Sequence, residues 1–318
     1  KLEYWNGSAW FQIKTFSPNL DGGARGVFAG GGDPADPTLD VMDFITISTS
    51  GNAADFGDLS SNRRHGSGCA SRVRNFVMGG YSDSAGAVRN TVEASIFASS
   101  GGSSSFCNLT AARYVAAAGG NSTRGLYAGG HSPNAPTIVA TIDVFDTFSG
   151  TTAVDFGDLS QARVDTAGSA NVTRFVVAGG ITPSQVNTID FATISTFGNS
   201  QDFGDLSSTS IHNGGASSPI VCIWNGVAPS VSTNCEKMVY ATTGNTVGFG
   251  DMTVSRNTHA AVSDCVRIVV AGGVVPGSRT NVIDYTSFST GGSSADFGDL
   301  TDVRSQLAGG SNAHGGLG

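Results

Sequence analysis

Five arginines fall at one spacing that could do chemistry. Arg63, Arg113, Arg163, Arg256 and Arg304 each stand seven residues after a phenylalanine, and only Ser210 breaks the series. Guanidinium groups arrayed around an axis could hold a sulfate or a carboxylated sugar through their fixed fork of donors. They could equally tie neighbouring backbones together, or pair with a recurrent carboxylate such as Asp58 or Asp158, although Arg113 beside Asn108 breaks any strict pairing. His65 and His212 share the position nine after the phenylalanine, and His259 lies one further on. Three imidazoles in one channel would suit a metal, but these come from non-adjacent units at approximate spacing, so neither a metal nor a cofactor is assigned. Asp43, Asp143, Asp190 and Asp284 recur in step and read as structural. Catalysis needs an asymmetric site with shifted pKa values, and the repeat is symmetric; the expectation is a protein that is not an enzyme.

The elements behind these positions repeat. Ala54-Asp55-Phe56-Gly57-Asp58-Leu59 returns in the segments built on Phe106, Phe156, Phe203, Phe249 and Phe297, at intervals of 50, 50, 47, 46 and 48 residues. Such a period marks a repeat architecture. Asp-Phe-Gly also holds magnesium in protein kinases, but here it recurs without a phosphate loop or a His-Arg-Asp loop. The six phenylalanines are expected to pack between units, where an aromatic ring buries the most surface.

A second mark keeps step with the first. Arg25, Arg74, Arg124, Arg174 and Arg267 each precede a Gly-Gly pair by five residues, across an apolar run such as Phe175-Val176-Val177-Ala178. These runs read as buried strands ended by a turn. In the unit from Arg63, strands are expected over Arg63 to Ala70, Val73 to Met78, Thr91 to Ala98 and Ser104 to Leu109. Four antiparallel strands in each of six units predict an all-β, six-bladed β-propeller over residues 17–318. The first unit lacks a first strand, and Arg304 to Gly310 resembles one with no blade after it. The C-terminal strand should therefore complete the N-terminal blade and leave no open edge. Residues 1–16 read as a separate connector, two short aromatic strands around Asn6-Gly7.

Composition narrows the partners. A net charge of -8 with three lysines argues against a nucleic-acid groove. No apolar run reaches the roughly 18 residues of a membrane helix. Five cysteines, Cys69, Cys107, Cys222, Cys235 and Cys265, show no paired or metal-binding spacing and read as reduced, with Cys222 and Cys235 the one pair close enough to consider.

The order of arginine, first strand, apolar strand ending in Gly-Gly, variable loop, Asn-Thr-Ile-Asp-Phe-like strand and aromatic last strand resembles kelch repeats over residues 25–310. Phe stands where the last kelch strand usually carries Trp. The stretches Gly51 to Leu59, Arg25 to Gly31 and Leu2 to Trp10 are also similar to segments of tailed-phage virion proteins, of the marine and cyanobacterial kind. That resemblance implies an appendage role in a tail or fibre, assembled in the host cytoplasm.

Asymmetry is confined to the loops after the second strands, which should emerge on one face of the propeller. Their polar residues Asp33, Asp36, Tyr81, Asp83, Arg89, His131, Asn134 and Arg279, with Trp224 as a stacking surface, are the candidate ligand-binding set for host surface carbohydrate. The N-terminal segment would contact other virion proteins, and a homotrimer would suit a fibre. A purely structural virion component and a glycan-cleaving enzyme are the alternatives.

Overall fold

Six four-stranded antiparallel sheets make up the body of the chain in a computed structural model that describes residues 2–5, 10–13, 24–83, 86–134 and 137–317. Blade 2 shows the plan, with strands Ser67–Ala70, Arg74–Met78, Thr91–Ile96 and Ser104–Asn108 running from the axis outward. The first strand starts four residues later than expected, because His65 sits at φ 55° and breaks the extended path. Among the described residues the one helical turn is a 3-10 turn at Gly315–Leu317.

The ring closes as the register predicts. Ala308–Ser311 pairs antiparallel with Arg25–Ala29, Ala29 opposite Ala308, and supplies the inner strand of blade 1. Leu2–Trp5 and Trp10–Ile13 pair antiparallel with Trp5 opposite Trp10, and the expected Asn6-Gly7 turn lies outside the described residues.

The inner strands surround the axis, and crowding there selects small residues such as Ala117-Ala118-Gly119-Gly120. A Cβ on Gly68 would lie 2.3 Å from the carbonyl of Gly309, and one on Gly168 would lie 2.3 Å from that of Ala118. Larger residues fill the space between blades. Phe56 packs against Val77 and Phe97 of blade 2, Phe156 against Phe175 and Ile194 of blade 4, and Phe297 against Phe28 and Ile45 of blade 1. Phe203 does the same with Trp224 and Tyr240, Phe106 with Phe145, and Phe249 with Ile268. Each buried ring contributes on the order of 2 kcal/mol of hydrophobic stabilisation.

The glycine of Phe-Gly-Asp has its own reason. At Gly157, φ is 143°, and a Cβ would lie 2.4 Å from the carbonyl oxygen of Gly198, where the outer turn of the next blade crosses. The Gly198 N–H donates to the Phe156 carbonyl at 2.8 Å, so the motif is a seam between blades.

Candidate functional site

The first arginine series is not available to a ligand. The guanidinium groups of Arg63, Arg113, Arg163, Arg256 and Arg304 are at most 1% exposed. Each meets the third-strand carboxylate of its own blade: Glu93, Asp143 (2.8 Å), Asp190 (2.9 Å), Asp284 and Asp43 (2.6 Å). Each also donates to the first glycine of that blade's Gly-Gly turn, as Arg163 does to Gly179 at 3.0 Å. Their role is structural, as one of the two expectations had it: each ties backbone and pairs with a recurrent carboxylate. No anion ring forms, and the partners are not Asp58 or Asp158, whose side chains are exposed. Blade 5 lacks the cation, and there Glu236 accepts from the Ser207 N–H at 3.1 Å and Asn234 at 2.9 Å. The second series crosses between blades: Arg74 donates to the Thr147 carbonyl at 3.1 Å and lies over Phe106, 5.3 Å from its centroid.

The position nine after each phenylalanine builds the axial mouth. His65, Val115, Asp165, His212, Thr258 and Gln306 all have positive φ, between 51° and 64°. Each N–H donates to the carbonyl of the preceding member, at 2.7 to 3.1 Å, and the His65 N–H closes the ring by donating to the Gln306 carbonyl. The result is a closed annulus of six backbone hydrogen bonds. Left-handed backbone costs a non-glycine residue about 1 kcal/mol or more, and the annulus is what holds it there.

Side chains make this mouth asymmetric. His65 and His212 come from opposite blades, yet their ring centroids are 6.4 Å apart across the axis. His212 Nδ1 lies 3.2 Å from Asp165 Oδ1, with the two side chains 23% and 15% exposed. Burial pushes the His65 pKa down to about 3, aided by His212 and Arg64. Burial also lowers the pKa of His212, against the pull of Asp165. The Asp165 carboxyl is raised by burial, with His212 and His131 opposing. His259, one position further on, lines the same cavity but is 6% exposed, its ring beside Gly214 and Gly226.

The loops join this mouth through a second register. The residue eight after the phenylalanine bridges the residue that follows Gly-Gly, giving Arg64 with Tyr81, Tyr114 with His131, Val164 with Ile181 and Asn257 with Val274. Only blades 2 and 3 place aromatic and charged groups there. Tyr114 lies 5.8 Å from Tyr81, 5.0 Å from His131 and 6.1 Å from His65 between centroids. Arg64 sits over Tyr81 at 5.7 Å and pairs with Asp83 at 3.1 Å. The structure thus gathers Tyr81, Asp83 and His131 from the expected set and adds Arg64, Tyr114, His65, Asp165 and His212.

Other members of that set pack inward or make contacts within their own loops. Trp224 is fully buried between blades 4 and 5 and offers no surface to a sugar; the aromatic strand end packs inward because Phe203 and Val227 surround it. The Asp33 carboxylate accepts from the Ala35 N–H at 2.7 Å and from Asp36 N–H, and Asp36 caps Thr38 at 3.0 Å, so both shape their own turn. Asn134 follows His131 on blade 3, with its N–H donating to Ser132 Oγ at 3.2 Å. The backbone of Arg89 closes its loop on Gly80 at 2.8 Å, and Arg279 belongs to a two-residue hairpin strand on blade 6. Among the described residues no cluster of three metal-ligating side chains forms. All five cysteines are free thiols.

The fold and this mouth define the class, a six-bladed β-propeller with an asymmetric axial face. No protein-family model and no curated protein matches the chain.

Proposed function

We propose that this propeller is a non-catalytic recognition module of a virion appendage, built from kelch-type repeats, that binds host surface carbohydrate through its loop face. The observation that carries the reading is the half-buried cluster of Tyr81, Tyr114 and His131 beside the axis. Aromatic faces flanked by polar groups suit sugars, whose C–H faces stack while their hydroxyls hydrogen-bond. The opposite face supports the attachment half of the reading. There Val73, Val172, Ile220 and Val266, in the turns between first and second strands, are 43 to 68% exposed. Exposed apolar residues from four blades on one face suit contact with another protein.

Binding and cleavage are separated by one assay. Purified protein is incubated with a panel of surface polysaccharides, recording retention and the release of shorter saccharides. Retention without cleavage, lost in Tyr81→Ala and Tyr114→Ala, is the expected result. Release of fragments would replace the reading with a glycan-cleaving enzyme, and no retention on any surface would favour a structural virion component.

A further inference from the structure

We infer, on the carbohydrate-binding reading, that the axial mouth selects an uncharged terminal sugar, stacked against Tyr114 with its hydroxyls donating to Asp165. The argument starts from charge. Beneath the mouth lies a cavity of about 170 Å³, and among its described lining residues Asp165 is the lone carboxylate and there is no lysine or arginine. Arg64, beside His65 in the chain, is taken by Asp83. An anionic sugar would bring its charge against Asp165 with nothing to pair it, in a chain of net charge -8. A neutral sugar instead offers hydroxyl donors, and a carboxylate accepts from them through charge-assisted hydrogen bonds.

The cavity itself has unmet polar groups. Thr166 Oγ1 and both polar atoms of the Asn213 side chain have no partner, at 8% and 6% exposure. Buried groups of this kind cost about 1–3 kcal/mol each when left unsatisfied, which favours any occupant that can meet them. At roughly 30 Å³ per molecule the space holds about five or six waters, able to bridge Thr166 and Asn213 to a ligand above.

Geometry then fixes which part of a glycan is read. Imidazoles 6.4 Å apart between centroids do not let a sugar ring pass, so the ligand rests on the mouth. The far end of the channel is closed by residues 312–317. His314 Nε2 lies 2.9 Å from the Ala70 carbonyl, the Gly315 N–H donates to Ser217 Oγ at 3.2 Å, and Arg72 donates to the Leu317 carbonyl. A polysaccharide cannot thread such a channel, and the axial position presents one sugar end-on.

The test is competition. Bound polysaccharide is challenged with free neutral hexoses and N-acetylhexosamines, and separately with glucuronic and sialic acids. Neutral sugars should displace it and the acids should fail. Asp165→Asn keeps the shape but removes the charge, and should weaken the neutral competitors about tenfold while narrowing their advantage over the acids. A merely structural Asp165 would move the melting temperature without moving that ratio. Polysaccharide that is retained but not displaced by neutral sugars, or displaced better by the acids, overturns the inference and leaves the loop-face reading standing. No retention at all overturns both.

Discussion

His65 and His212 face each other across the propeller axis, ring centroids 6.4 Å apart and planes inclined by 32°, although they belong to blades 2 and 5. Both imidazoles are held neutral by burial, and the pKa of His65 is pushed down to about 3. His259 is lowered to about 3 as well, by burial first and then by Arg256. A histidine whose folded pKa lies below its unfolded value of roughly 6.5 leaves the unfolded chain binding more protons between those two values.

Stability should therefore be complete above about pH 6.5 and fall as pH drops toward 3, by up to about 1.4 kcal/mol per pH unit for each such histidine. Asp165 acts in the opposite sense, because its raised pKa favours the folded state only at the acid end. Urea titrations across this range should show the slope, and His259→Gln should flatten it. An unchanged slope in that variant would remove His259 as a cause.

Arg163→Met should cost about 3–5 kcal/mol, because it strands the Asp190 carboxylate, which is fully buried. The double variant Arg163→Met with Asp190→Leu should recover much of the loss, since no charge is then left unpaired. Urea denaturation of the three proteins closes the comparison.

Gly157→Ala should destabilise by at least about 1–2 kcal/mol, through both left-handed backbone and the clash with Gly198. At Gly198 itself a Cβ would meet nothing within 4 Å, so Gly198→Ala should show the backbone cost alone. Equal losses at the two sites would mean that the close approach of the blades does not matter.

Val115→Gly should stabilise the fold by about 1 kcal/mol, the reverse of the usual glycine effect. A β-branched residue at φ 51° is strained, and glycine relieves that strain without breaking the annulus of backbone hydrogen bonds. A fall in melting temperature would show that the Val115 side chain contributes more than its strain costs.

Removing residues 312–318 should further expose the Cys265 thiol, which is half-buried in the full chain. Cys265 Sγ donates to the Ala313 carbonyl at 3.0 Å, and burial raises its pKa to about 11. The other four cysteines are no more than 6% exposed within the blades. Titration with a thiol reagent should show Cys265 reacting faster in the truncated chain than in the full one; an unchanged rate would mean that the Ala313 contact does not protect it.

The blades were legible because they repeat. Phe56 and its five counterparts, the Gly-Gly turns and the orphan strand at Ala308 each carry a local constraint, of packing, backbone conformation or pairing, that shows in residue type at fixed spacing. The site was legible only in part. Tyr81, Asp83 and His131 stood out as polar loop residues and His65 and His212 as a shared position, but Tyr114 and Asp165 were hidden at positions eight and nine after the phenylalanine, where the repeat tolerates any side chain. The variation at those two positions was the available signal. Trp224 shows the converse: a large aromatic at a loop boundary is read as a ligand surface or as core with equal ease until its neighbours are known.

The number of blades, their order and the closure of the ring are written in residue type and spacing, since each follows from contacts made within a unit or at a constant offset between units. Which residues meet at the axis depends on the closed ring. Closing six blades brings His65 within reach of His212, 147 positions away in the chain, and turns Arg163 inward onto Asp190, while no local rule of spacing records either distance.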